Sequence, residues 1–205
     1  MTVVAIDGPV ASGKSTVARR VARRLGYLYL DTGAMYRAVT CAFLAAGVDP
    51  GDAQGVIATT LGADLQISTD PDDQWVRVNG QDVTTEIREP SISATVSAVS
   101  TLAECRANLV ERQRRIIDQA PAGVVAEGRD ITTVVAPDAD VRVLLVGVEA
   151  DVLAVHLEAD IIRRISIRLY TQKLAKQPFG PGDVLDRIDD GTDTLIHGEL
   201  LTLIA

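Results

Sequence analysis

Gly8-Pro9-Val10-Ala11-Ser12-Gly13-Lys14-Ser15, followed by Thr16, decides the reading of this chain. The run fits G-x-x-x-x-G-K-[ST], a loop whose main-chain N–H groups cradle phosphates. Ahead of it lies Val3-Val4-Ala5-Ile6, a short apolar run with β-branched residues, closed by Asp7-Gly8. Behind it Val17, Val21 and Leu25 recur at helical spacing beside Ala18 and Ala22, with Arg19, Arg20, Arg23 and Arg24 on the other face. Strand, glycine loop and helix N-terminus together make an anion seat, since the helix adds its positive end to the loop amides. Gly8 and Gly13 permit close backbone approach. Lys14 is placed to reach the β/γ-phosphates and the Ser15 hydroxyl to ligate Mg²⁺.

The chain has 205 residues, 47% of them hydrophobic, which suits one domain with an elaboration. A formal net charge of −8 argues against general affinity for nucleic acid or membranes. An anionic substrate must then be met by locally placed cations. Arg outnumbers Lys, and Lys14 is one of only three lysines, with Lys173 and Lys176. Arginine is the better fork for phosphate. Cys41 and Cys105 lack metal spacing and read as reduced thiols in a cytoplasmic protein. No signal peptide is expected, because Asp7 and Gly8 interrupt the first apolar run. No apolar run is long enough to cross a membrane.

Outward from the loop, Gly26 should end the first helix. Tyr27-Leu28-Tyr29-Leu30 reads as a buried strand ending in Asp31-Thr32-Gly33, and a helix follows over about Ala34–Ala46, stopped by Gly47 and Asp49-Pro50. This alternation predicts a parallel α/β sheet, with ligands beyond the carboxyl ends of the strands. Leu65–Ser68 and Trp75–Val78 are short strand patterns, and Asn79-Gly80 is a two-residue hairpin signal. They suggest a small antiparallel insertion. Ser91 to Gln119 reads as helical, with most of its charges on a solvated face. Gly123–Glu127 and Val141–Val146 are further buried strands. The first leads into Gly128-Arg129-Asp130. There Arg129 either reaches a phosphate or pairs with Asp130 at the sheet edge.

Three stretches together resemble bacterial cytidylate kinases: Ala5–Thr16, Leu30-Asp31-Thr32-Gly33-Ala34-Met35-Tyr36-Arg37, and Glu127-Gly128-Arg129-Asp130 before Thr133-Val134-Val135. Val96–Ser100 and the hairpins resemble them too, so the likeness runs over about residues 2–146. It implies a P-loop NTPase-type α/β fold, a parallel sheet flanked by helices, with a small antiparallel insertion and a C-terminal lid-like helical region. Residues 1–205 would form a single kinase domain. Its core would be 1–59 and 91–150, the nucleoside-monophosphate-binding insertion about 60–90, and a divergent lid and C-terminal region 151–205. The implied reaction moves the γ-phosphoryl of ATP to CMP or dCMP, with Mg²⁺. Gly8, Pro9, Val10, Ala11, Ser12, Gly13, Lys14, Ser15 and Thr16 would hold ATP, and Ser15 the metal. Thr32 and Arg37 would hold the acceptor's phosphate end, and Ser97 and Arg106 would line the pyrimidine pocket. Arg129 would meet phosphate while Asp130 orients its surroundings. Lys14, Arg129 and Asp130 carry the catalytic expectation, and a monomer is expected.

Past Val146 the family pattern breaks. The basic cluster usual after the fourth strand is replaced by Val152-Leu153-Ala154-Val155-His156, and the Arg-Asp-x-x-Asp-x-x-Arg lid pattern is absent. Either Arg163, Arg164 or Arg168 substitutes for the lid arginines, or they form the polar face of an amphipathic helix with Ile161, Ile162, Ile165 and Leu169. The alternatives to an active kinase are a nucleotide-binding protein with weak or no turnover, and a kinase for another nucleoside monophosphate. Two smaller departures are Ala11, where glycine is common and a methyl fits if φ is negative, and Thr132, which should stiffen its turn.

Overall fold

A computed structural model describes residues 1–145 and the backbone of a strand at Ile167–Tyr170. In chain order its main elements are β1 (Thr2–Asp7), α1 (Lys14–Leu25), β2 (Leu28–Asp31), α2 (Thr32–Ala45), α3 (Ala53–Gly62), β3 (Leu65–Ile67), β4 (Val76–Val78) and β5 (Gln81–Asp82). Then follow α4 (Pro90–Thr95), α5 (Ser97–Ser100), α6 (Ala103–Asp118), β6 (Gly123–Gly128), β7 (Val141–Leu145) and β8 (Ile167–Tyr170). The five-stranded sheet runs β2-β6-β1-β7-β8. Its first four strands are parallel and β8 is antiparallel to β7. This is the P-loop NTPase-type sheet flanked by helices, with an antiparallel edge.

Both faces of the sheet are covered, which explains why its strands read as continuous apolar runs. Val4, Ile6, Val125, Val143 and Leu145 pack with Ala18, Val21 and Ala22 of α1. Ala5, Leu30, Val124 and Ala126 face the other way, into a larger core with α2, α3 and α6. The buried stripe of α1 is narrower than its periodicity implied, for Leu25 is exposed. It occupies the last turn, past the end of the sheet-facing contact. Gly26 caps that helix at φ 65°.

The three-stranded antiparallel sheet β3-β4-β5 is present. Asn79 and Gly80 both take positive φ, 52° and 80°, the geometry of a two-residue type I′ hairpin. Val76, Val78 and Val83 join the larger core, so this sheet has no separate interior. The region read as one helical stretch from Ser91 is divided into α4, α5 and α6, and Leu102 breaks it at ψ 122°. The α3 helix carries no strong signal beyond Asp52, whose side chain accepts from Gly55 N at its N-cap.

One C-terminal expectation is corrected. The amphipathic helix drawn through Arg168 and Leu169 does not extend that far, because Ile167–Tyr170 is a strand in register with β7, Leu144 opposite Arg168. β-branched, apolar and aromatic residues suit a sheet edge. The rest of the lid reading, from Val152–His156 through Arg163, Arg164, Lys173 and Lys176 to the C-terminal tail, lies outside the described residues.

Candidate active site

Three neighbouring parallel strands end in acids. Asp7 closes β1, Asp31 closes β2, and Glu127 is the penultimate residue of β6, in register with both Asp31 and Ile6. The phosphate loop leaves β1 at Gly8, where an added Cβ would press into the Leu145 carbonyl oxygen and the Ser12 hydroxyl. The loop closes on itself through Ser12 N donating to Pro9 O at 3.3 Å, and Val17 N to Gly13 O starts α1. Val10 stands exposed at the crest, while Ser12 is buried. Lys14 Nζ donates to Pro9 O at 2.5 Å and Ser12 Oγ at 3.4 Å. Burial lowers its pKa; Glu127 opposes that shift and the nearby charge of Arg129 adds to it. Ala11 departs from expectation. Its φ is 64°, left-handed rather than negative, a conformation that costs a residue with a Cβ about 1 kcal/mol.

Below the loop lies a group the sequence did not single out. Ser15 Oγ donates to Glu127 Oε1 at 2.6 Å, and Tyr29 Oη donates to the same oxygen at 3.0 Å. Glu127 is 3% exposed. Burial and the charge of Asp31 push its carboxyl above the ordinary range, against the two hydrogen bonds and Lys14. Tyr29 is raised well beyond the phenol range by burial, then by Asp31 and Glu127. Its clues in the sequence were an acid ending an apolar strand and its place in the Glu127-Gly128-Arg129-Asp130 run.

The β6–β7 connection is tied to β1. Asp7 accepts from Ile131 N at 2.7 Å, Thr132 N at 3.0 Å and the Thr132 hydroxyl, and so fixes the wide turn Ile131–Val135. Thr132, where glycine is common, thus adds a third bond. Thr32, buried at the start of α2, donates to Glu127 O at 2.9 Å.

The arginines are held less firmly. Arg37 pairs with Asp31 at 3.1 Å, and Asp31 also caps α2 through Ala34 N. Arg106 pairs with Asp130 at 2.7 Å. Asp130 therefore pairs with α6, and the Arg129–Asp130 staple is not formed among the described residues. Tyr36 lies beside this pair; burial and the Asp130 charge raise its phenol.

A cleft of about 220 Å³ opens between the start of α1, the tip of β2, α2 and the small sheet. Ser15, Tyr29, Asp31 and Arg37 line it, with Arg19 and Arg88, two residues the sequence did not single out. Lys14, the loop residues Gly8 to Gly13, Thr16, Thr32, Ser97, Arg106, Arg129 and Asp130 do not line it, and neither does Glu127. Ser97 is exposed at the start of α5. Ser15 and Glu127 place a hydroxyl and a carboxyl oxygen together, a hard oxygen set that fits Mg²⁺. No group of three or more acidic, His or Cys side chains suited to a metal occurs among the described residues.

A family model described as cytidylate kinase matches residues 4–154. The chain is 48% identical over 143 residues to a cytidylate kinase of Mycolicibacterium paratuberculosis, covering 70% of this chain and 62% of that protein. It is 51% identical over 143 residues to one of Corynebacterium efficiens, with the same coverage. A bifunctional pantoate ligase/cytidylate kinase of a Synechococcus strain is 51% identical over 144 residues, 70% of this chain and 29% of that protein. The match thus spans about three-fifths of the length of the first two relatives.

Proposed function

The chain belongs to the cytidylate kinase family, and from that premise we propose that it transfers the γ-phosphoryl group of ATP to CMP or dCMP, with Mg²⁺. One observation carries this reading: Ser15 from the end of the phosphate loop, Asp31 from the tip of β2 and Arg37 from α2 line one cleft. In the reaction an acceptor phosphate oxygen forms a bond to the γ-phosphorus. The bond from that phosphorus to the β–γ bridging oxygen breaks, and ADP leaves with the electron pair. The acceptor phosphate is itself the nucleophile, so the protein needs no strong base. Its work is positioning and charge stabilisation.

The residues divide that work. Gly8 to Thr16 hold the triphosphate, and Lys14 neutralises charge on its β and γ groups. Ser15 and Glu127 would hold Mg²⁺, which draws charge from the phosphate oxygens. Thr32 and Arg37 take the acceptor phosphate, and Ser97 and Arg106 the pyrimidine. Arg129 and Asp130 join them from the end of β6. On this proposal residues 60–90 are the acceptor-binding insertion, 1–59 and 91–150 the core, and 151–205 the lid and C-terminal region. The protein acts as a cytoplasmic monomer on small molecules.

A second reading is nucleotide binding with little turnover. It is favoured by the end of the family match at residue 154, before the segment where relatives carry lid arginines. A coupled ADP-release assay with CMP, dCMP, UMP and AMP separates the readings. CMP- and dCMP-dependent release supports the kinase. Release with UMP or AMP alone moves the acceptor, and binding without release supports the second reading.

A further inference from the structure

Arg88 closes the short 3₁₀ turn Glu86–Arg88 that follows the small sheet, and it lines the cleft with Ser15 and Arg37. Its guanidinium makes no hydrogen bond or ion pair with any described residue. The other two arginines that line the cleft, Arg19 and Arg37, are engaged. Arg37 is held by Asp31 and Arg106 by Asp130. Arg19 donates its Nε to Ser15 O at 3.3 Å. Further away, Arg23 is bound to Asp72 and Pro71 O, and Arg112 to Ala63 O and Leu61 O. Arg20, Arg24 and Arg129 also lack a described hydrogen-bond partner, but none of them lines the cleft.

The charge count in the cleft supports a ligand there. Among the described residues, Arg19, Arg37 and Arg88 face a single lining carboxylate, Asp31, which is already paired with Arg37. The lining therefore carries an excess of positive charge in a chain whose formal net charge is −8. A planar guanidinium is shaped to take two oxygens of a phosphate.

We infer that Arg88 is an acceptor-binding residue, seating the phosphate of a nucleoside monophosphate opposite Arg37, a proposal that rests on the kinase reading above. The two arginines come from different parts of the chain. Arg37 stands on α2 of the core, and Arg88 on the turn that leaves the small sheet. A phosphate bridging them draws the small sheet and the core onto one ligand. Val76 and Ile87 form the apolar part of the same wall, leaving the phosphate end to the arginines.

The test compares the full chain with Arg88→Gln, Arg88→Lys and the exposed control Arg20→Gln. Steady-state ADP release gives KM for CMP and for ATP, and calorimetry gives Kd for CMP and for cytidine, which lacks the phosphate. Arg88→Gln should raise KM and Kd for CMP about tenfold or more, the size of a charged hydrogen bond. KM for ATP and Kd for cytidine should stay within about twofold of the parent, as uninvolved interactions do. Arg88→Lys should recover part of the loss, and Arg20→Gln should match the parent.

The inference is overturned if Arg88→Gln leaves CMP affinity unchanged, weakens CMP and cytidine alike, or raises KM for ATP instead. If the parent binds CMP without turnover, the kinase reading fails, and the CMP-against-cytidine comparison decides Arg88 alone. A parent that binds CMP no better than cytidine, or not at all, overturns the inference as well.

Discussion

Asp7 and the pair Asp31 and Asp130 all stand at or just past the ends of parallel strands, yet the latter two hold arginines, Asp31 while also capping α2, and Asp7 holds a turn. Asp7, 5% exposed, is committed to two main-chain N–H groups and one hydroxyl of the β6–β7 turn. Asp31 and Asp130 each hold an arginine in a part-exposed ion pair. Bonds from a buried carboxylate to main-chain donors are costly to break, because both sides lose their partners. Part-exposed ion pairs contribute about 0–1 kcal/mol and exchange easily. On the proposed function the triphosphate side is thus the firmly held one, and on the acceptor side the cations rest on carboxylates from which a phosphate would draw them.

The largest way to break this contrast is Asp7→Ala. It leaves Ile131 N and Thr132 N without their acceptor and should cost about 2–4 kcal/mol in urea unfolding. A loss no larger than that of an exposed ion pair would show that the turn is held by something else. Arg37→Ala should do the reverse. Its stability should change by less than about 1 kcal/mol, while KM for CMP rises roughly tenfold to a hundredfold. An equal rise in KM for ATP would blur the division between the two sides.

Ala11→Gly sharpens the donor side. Releasing a left-handed alanine should outweigh the extra freedom of an unfolded glycine and stabilise the chain by about 0.5 kcal/mol, seen as a higher urea midpoint. The smallest effect is expected at Asp72, whose 2.5 Å pair with Arg23 ties the β3–β4 loop to α1 in the open. Asp72→Asn should cost below about 0.5 kcal/mol, because water competes for both charges.

The architecture was readable where local chemistry is decisive. The glycine loop between an apolar strand and an amphipathic helix announced the β1–α1 unit, and Asn79-Gly80 announced its hairpin. Gly26 marked the end of α1. Other features depend on residues far apart in the chain. Glu127 matters because β6 lies beside both β1 and β2, which brings it to Ser15 and Tyr29. Nothing local to residue 127 reveals that. The Asp7 clamp likewise joins positions 124 and 125 residues apart. Arg88 was hidden among ordinary surface charges until the small sheet placed it on the cleft. The α3 helix was missed because Gly55 and Gly62 weaken its propensity and its start rests on one Asp cap. The strand β8 was read as helix because Ile and Leu spacing over Ile161–Leu169 suits either form, and the open edge of β7 decided the matter over its last residues.

The central claim is that the amino-terminal loop presents a triphosphate to a pyrimidine nucleotide held by the neighbouring arginines. The most direct measurement is CMP-dependent ADP release by the full chain beside its Lys14→Ala variant. The account predicts release that requires CMP and falls roughly 10²–10³-fold without the lysine, the usual size for loss of a charge-stabilising group. Release that ignores CMP, or that survives Lys14→Ala unchanged, would contradict it.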